Sequence, residues 1–154
     1  MSLCVKDVMV RKVLTIDIKQ SATNAARLMS KFGVSSLIVS SEEDIVGIVT
    51  ERDILTRVVA SGQDASLVEI EEIMSEPVIV VNPDVPLEEA VKIMFRERIK
   101  KLPVMSKEES KLKLIGIVSI TDIARIQPKL IESMRSLMDQ ADMALGEHVN
   151  FYIR

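Results

Sequence analysis

The chain is poor in the residues from which most catalytic and metal sites are built. Its 154 residues include one cysteine, Cys4, and one histidine, His148. A single cysteine excludes an intrachain disulfide and a thiolate zinc cage, and no metal is expected. A Ser-His-Asp or Cys-His centre would depend on His148 alone. The five glycines (Gly33, Gly47, Gly62, Gly116, Gly146) form neither GxGxxG nor a GxxxxGK[ST] loop. Aromatic residues are 3% of the chain, with Phe32, Phe95, Phe151 and Tyr152 the full set, which leaves few platforms for stacking bases. No apolar run approaches the roughly 18 residues of a membrane span. The start of the sequence lacks the apolar core of a signal peptide. A reducing, cytoplasmic setting is the resulting expectation.

What is present is the composition of a globular protein, 47% hydrophobic and 28% charged. With 23 acidic and 20 basic side chains the net charge is −3, so no global attraction to nucleic acid or anionic membrane is expected. Arg98, Lys100 and Lys101 read as a solvated basic patch unless a ligand claims them, and with Arg96 they give a minor nucleic-acid reading.

The chain repeats itself. Val5–Met9 matches Ile70–Met74 at an offset of 65, and Val13–Ile16 matches Val78–Val81 at the same offset. Ala25/Ala90, Met29/Met94, Leu37/Leu102 and Val39/Val104 follow. Val46–Val49 then matches Ile115–Val118, and Asp53–Ile54 matches Asp122–Ile123, at an offset of 69. The added residues fall in the charged stretch Ser106–Lys113, which reads as an insertion in a polar turn.

Each repeat reads as strand, helix, strand, strand, helix. Val13–Ile16 and Val78–Val81 are short β-branched runs. Ala22, Ala25, Ala26 and Met29 line one face of a helix, as do Leu87, Ala90, Val91 and Met94, with Pro86 suited to a first helical position. Val34–Val39 and Ile45–Val49 form a hairpin, matched by Lys101–Met105 and Leu114–Val118. Pro103 has no amide to donate, so it should face away from a partner strand. Short helices follow at Asp53–Ala60 and Asp122–Ile126. One such unit of about 60 residues covers its sheet poorly. The expected fold is therefore α/β (α+β), two β-α-β-β-α repeats packed sheet to sheet with pseudo-twofold symmetry. The expected divisions are 1–62, 63–127, and a C-terminal helix and apolar tail at 128–154. Leu130, Ile131, Met134, Leu137, Met138, Ala141 and Leu145 stripe that helix, and Gly146 would cap it. The methionines read as core or interface fillers.

One signal closes the hairpin in both repeats: Gly47–Asp53 (GIVTERD) and Gly116–Asp122 (GIVSITD). A hydroxyl, Thr50 or Ser119, precedes a carboxylate by three residues at a strand-to-helix junction. Two readings use the same atoms. In one, the pair is a capping box that only starts a helix. In the other, the helix start favours a polar or anionic ligand and the carboxylate accepts from ribose hydroxyls.

The doubled pattern resembles a pair of CBS domains, the module named after cystathionine β-synthase, over residues 3–127. Val5–Met9, Gly33–Val39, Gly47–Asp53 and their partners carry the likeness. The resemblance implies a regulatory binder of adenosine compounds (AMP, ADP or ATP, or S-adenosylmethionine) and not a catalyst. It implies two clefts that mix residues of both copies. The main cleft would join Thr50, Arg52 and Asp53 to Ile79, Ile99, Lys100 and Lys101. The second would join Ser119, Thr121 and Asp122 to Leu14, Val34, Ser35 and Ser36. The lysines stand where relatives reach phosphate, so the Asp53 cleft should hold the phosphorylated nucleotide more tightly. The resemblance also implies a homodimer and an unidentified regulated protein as partners. The competing reading is a dimerisation scaffold that binds no nucleotide.

Overall fold

The computed structural model of the chain describes residues 2–76 and 78–144. The expectations for Leu145, Gly146, His148 and the tail Val149–Arg154 lie outside the described residues. The chain divides into two compact units, Lys12–Ile79 and, joined in one body, Met1–Arg11 with the residues from Val80 onward.

A four-residue helix, α1 (Val5–Val8), precedes the first unit. That unit holds β1 (Thr15–Asp17), α2 (Ala22–Phe32), β2 (Ser36–Ser41), β3 (Asp44–Thr50) and α3 (Glu51–Ile54). From α3 the chain runs on as a π-turn, Leu55–Val59, and later makes a 3-10 turn, Ile70–Glu72. The sheet order is β1-β2-β3, the first pair parallel and the second antiparallel. Ser21 caps α2 by accepting from the Asn24 amide, and Gly33 ends it at φ 64. Ala22, Ala25 and Met29 face the core with Ile16, Leu37, Val39, Val49 and Ile70. Ala26, expected on that face, is exposed.

The other unit holds α4 (Leu87–Glu97), β4 (Lys101–Glu108), β5 (Lys111–Ser119), α5 (Ile120–Ile126) and α6 (Pro128–Ala144). Pro86 sits just outside α4 as its cap residue rather than as its first helical residue. Leu87, Ala90, Val91 and Met94 are all buried. The expected strand Val78–Val81 is absent; Val81 alone bridges Val104. The cause is Pro103. In the first unit the Ile38 amide donates to the Leu14 carbonyl at 3.1 Å and carries the ladder along β1. Pro103 stands at the position matching Ile38 and has no amide, so the ladder ends at Val81.

The inserted residues do not lengthen the turn, contrary to the sequence reading. β2 and β3 have 6 and 7 residues, β4 and β5 have 8 and 9. Both hairpins turn through two residues of positive φ, Glu42–Glu43 and Glu109–Ser110. That is the φ pattern a tight hairpin turn demands. The insertion therefore adds two residues of mostly charged strand on each side.

The units are cut differently from the repeats because each repeat's leading segment packs on the other repeat's hairpin. Val10 bridges Ile117 through two bonds of 2.9 Å, and Ser75 bridges Ile48 at 2.9 and 3.2 Å. At their other ends, Cys4 bridges Pro86 and Glu69 bridges Ser21. The glycine of each hairpin makes this possible. A Cβ on Gly116 would lie 2.7 Å from Met9 Sδ and 3.0 Å from the Val10 carbonyl. A Cβ on Gly47 would lie 2.6 Å from Met74 Sδ and 3.0 Å from the Ser75 carbonyl. Surface pairs flank the contacts. Lys19 meets Glu71 and Glu69, which raises the lysine pKa and lowers that of Glu71; such exposed pairs add little stability.

Two stability changes follow. Gly47→Ala and Gly116→Ala should each cost about 1–3 kcal/mol in urea denaturation, because backbone stands against the added methyl. Arg98 ends α4 at φ 57, the position Gly33 holds after α2. Arg98→Gly should therefore gain about 0.5–1 kcal/mol in the same assay; a loss would show that the arginine side chain compensates for its backbone.

Candidate functional site

The two strand-to-helix junctions are built alike and finished differently. At Thr50 the backbone is still extended, and the helix begins at Glu51. The Glu51 amide donates to the Ser35 carbonyl at 3.0 Å. Thr50 Oγ1 accepts from the Asp53 amide at 3.1 Å. Asp53 Oδ2 in turn accepts from the Thr50 amide at 2.9 Å and from Thr50 Oγ1 at 3.0 Å. The capping box is therefore complete, and Asp53 is 8% exposed. Every buried side-chain polar atom among the described residues has a partner. These bonds occupy Oδ2 and leave Oδ1 outside the box.

In the second repeat the Ile120 amide donates to the Lys100 carbonyl at 2.9 Å, the same tie. Ser119 Oγ accepts from the Asp122 amide at 3.0 Å. The Asp122 carboxylate turns outward instead of back, 3.5 Å from Arg125 Nη1. The residue after Asp53 by the same spacing is Thr56, whose hydroxyl donates to the Arg52 carbonyl at 2.8 Å, so the first junction has no matching cation. Asp122 is half-buried.

Strand pairing decides which other residues stand beside each junction. Ser36 pairs with Thr50 and Lys101 pairs with Ser119. Ser35 and Ser36 thus adjoin Asp53 in the Lys12–Ile79 unit, and Lys100 and Lys101 adjoin Asp122 in the other. Leu14 and Val34 are half-buried against the core of the first of these units. Arg52, Ser35, Lys100 and Thr121 are exposed, Ser36 is buried, and Ile79, Ile99, Lys101 and Ser119 are half-buried. Each residue set that the sequence assigns to one cleft draws on both units, while each junction has beside it two residues assigned to the other cleft, Ser35 and Ser36 next to Asp53 and Lys100 and Lys101 next to Asp122.

Arg57 escaped the sequence reading. Its Nη1 donates to the carbonyls of Ile73 and Met74, at 2.8 and 3.2 Å. It thereby ties the π-turn that follows α3 to the segment that covers Gly47. The available signal was its lack of a counterpart, since Ile126 holds the matching place. Among the described residues, no three His, Cys, Asp or Glu side chains group as metal ligands. No helix among them is long and apolar enough to cross a membrane.

Comparison with known proteins completes the picture. The family model of the CBS domain matches residues 5–60 and 70–129. An uncharacterized protein of Methanopyrus kandleri is 36% identical over 138 residues, covering 89% of this chain and 69% of its own. The crystal structure of the CBS domain pair of protein MJ0100, in complex with 5′-methylthioadenosine and S-adenosyl-L-methionine, is 27% identical. It matches with a TM-score of 0.71 over 84% of this chain and 98% of its own. A hexameric CBS-CP12 protein from bloom-forming cyanobacteria is 31% identical, with a TM-score of 0.72 over 96% of this chain and 91% of its own.

The unequal caps have a measurable consequence. Thr50→Val removes both hydroxyl bonds of a closed box and should cost about 1–2 kcal/mol in ligand-free chemical denaturation, against about 1 kcal/mol for Ser119→Ala. Equal losses would mean that the Asp53 carboxylate adds nothing to its helix.

Proposed function

The chain belongs to the CBS-domain family, and from that premise we propose that it is a regulatory module that binds an adenosine-containing nucleotide (AMP, ADP or ATP) and passes its occupancy to a partner protein. The observation that carries this reading is the doubled junction, with Asp53 and Asp122 each held at the start of a helix by a hydroxyl three residues before it. A fixed carboxylate is what a ribose needs. Two vicinal hydroxyls can donate to it without the entropy cost of ordering a free side chain. The box already holds Asp53 Oδ2, so Oδ1 is the oxygen offered to the sugar. The neighbour crystallised with 5′-methylthioadenosine and S-adenosyl-L-methionine supports the adenosine class, and S-adenosylmethionine stays among the candidates.

In this proposal Asp53, Thr50 and Arg52 form the main site with Ile79, Ile99, Lys100 and Lys101. Asp122, Ser119 and Thr121 form the second with Leu14, Val34, Ser35 and Ser36. Ammonium groups give phosphate charge-assisted bonds that serines do not, so the first site takes the more phosphorylated ligand. Occupancy regulates by linkage: a ligand that prefers one conformation shifts the affinity for whatever partner prefers the same one. The molecule is regulatory rather than catalytic. It works as a self-associated assembly, a reading that the hexameric neighbour supports.

One observation favours a second reading. The Thr50–Asp53 box is complete without any ligand, as it would be in a scaffold that binds no nucleotide. Calorimetric titration of AMP, ATP and S-adenosylmethionine separates the two. The sensor reading expects micromolar binding that Asp53→Asn weakens about tenfold or more, roughly the loss of a hydrogen bond to a charged group. Asn keeps an acceptor for the Thr50 amide, so the helix start survives the change. No heat from any of the three ligands would leave the scaffold. Loss in Asp122→Asn with none in Asp53→Asn would reverse the ranking of the sites.

A further inference from the structure

The carboxylates at the two junctions meet different partners. Asp53 turns back onto Thr50, whose amide and hydroxyl hold one of its oxygens. Asp122 makes no such return. Its Oδ1 lies 3.5 Å from Nη1 of Arg125, three residues on in α5, and the side chains are 21% and 74% exposed. At that distance the contact is longer than a directed N–H···O bond, so charge rather than hydrogen-bond geometry holds it. The guanidinium thus stands on the outward edge of the carboxylate. No cation is set in this way in the first repeat. Thr56 holds the place that matches Arg125, and its hydroxyl donates to the Arg52 carbonyl at 2.8 Å. Arg57, the next residue, is drawn off to the Ile73 and Met74 carbonyls, at 2.8 and 3.2 Å. Asp53 enters no ion pair among the described residues.

We propose that Arg125 is a built-in competitor at the second site: its guanidinium occupies the carboxylate that ribose hydroxyls would use, and a nucleoside binds Asp122 by displacing it. The inference deepens the nucleotide-binding reading above and rests on it. Both partners use the same acceptor. The vicinal hydroxyls of a ribose donate to a carboxylate, and so do the N–H groups of a guanidinium. At Asp53 the sugar meets an oxygen with no cation on it. At Asp122 it must first free the carboxylate, so binding there is weakened by the strength of the ion pair. For an exposed pair on a helix that is about two- to fivefold in affinity. The competition has a signature in salt. Exposed ion pairs are screened, over a Debye length of about 10 Å at 0.1 M and about 3 Å at 1 M. The hydroxyls of an uncharged sugar carry no net charge to be screened. Rising salt therefore loosens Arg125 from Asp122 and tightens an uncharged nucleoside. The probe must be uncharged because Lys101 pairs with Ser119 and the Lys100 carbonyl holds the Ile120 amide. With lysines so close, a phosphorylated ligand would add a salt dependence of its own.

Equilibrium dialysis of labelled adenosine against the full chain carrying Asp53→Asn, which weakens the first site, tests this. Adding Arg125→Gln should tighten adenosine about two- to fivefold. Glutamine is a good helix former and the side chain is exposed, so far-UV dichroism should stay unchanged. As sodium chloride rises from about 0.05 to about 0.5 M, the Asp53→Asn chain should bind adenosine more tightly. The chain that also lacks Arg125 should bind it equally throughout. Adding Asp122→Asn should remove the salt response and most of the binding. Unchanged or weaker binding in Arg125→Gln, with binding still lost in Asp122→Asn, overturns the competitor and leaves the site. A salt response that persists without Arg125 overturns the competitor as well. If adenosine is not taken up with or without Arg125, or if Asp122→Asn binds as well as its parent, the second site itself is wrong, and the reading beneath the competitor falls with it.

Discussion

A methionine and a backbone carbonyl lie against a glycine twice in this chain, and the rest of the fold is arranged around that contact. The segment after α1 reaches across to Gly116, and the segment after the 3-10 turn reaches back to Gly47. Each segment is fixed at two points, by a bridge to the hairpin and by a bridge to the residue before the long helix. Neither repeat is therefore a closed unit of its own. The sheet that the first repeat starts is finished by residues from the second repeat's lead, and the converse holds. A glycine is required because strand and overlying segment approach to backbone contact, which leaves no room for a Cβ. The motif that gives the sequence its repeated look, Gly-Ile-Val, is in this respect a packing motif before it is a binding one.

The same hairpin ends in the junction that carries Asp53 or Asp122, so the packing contact also sets where the carboxylates stand. Two ties hold each junction: a carbonyl from the facing strand takes the first helical amide, and a hydroxyl takes the third. With those donors satisfied, the helix start offers little unspent hydrogen bonding of its own. What it offers is a carboxylate, held in a fixed direction at Asp53 by the closed box. The capping and binding readings are therefore not exclusive. Closing a box on one oxygen is a way to hold the other still, and at Asp53 that division is visible in the bonds.

Much of this was legible because the sequence states it twice. Helix faces, hairpins and junctions recur in register, and a pattern seen at Ala22, Ala25 and Met29 and again at Leu87, Ala90 and Met94 is hard to mistake. The misses share a cause: each depends on a partner distant in sequence. Pro103 read correctly as a residue without a donor, yet only the Ile38–Leu14 bond shows that the lost donor would have carried the third strand. Ala26 sits at a core spacing but is exposed, because what buries its counterpart Val91 is α6, which has no equivalent after the first repeat. The charged insertion looked like a loop because its residues are polar. Exposed strand accepts polar residues as readily, and the two-residue turn fixed by positive φ was invisible without glycine or asparagine to mark it. The exchanged leads are the deepest case, since nothing local distinguishes a segment that packs on its own repeat from one that packs on the other.

Symmetry of backbone with asymmetry of side chains is what gives such a molecule a direction. The repeats keep the residues that bury (Leu37 and Leu102, Val39 and Val104, Val49 and Val118), because any change of volume there is paid in packing. They diverge where the surface permits it. One junction closes its box while the other releases its carboxylate to an arginine. One strand is entered through Ser35 and Ser36 and the other through Lys100 and Lys101. One helical face is covered by α6 and the other is bare. Arg57, present in one repeat and replaced by Ile126 in the other, joins the π-turn after α3 to the segment lying over Gly47, so the helix that carries Asp53 is hydrogen-bonded onward to the packing contact on only one side. Two equal repeats would respond equally at both ends. These differences make the two junctions, and the helical faces beside them, physically inequivalent.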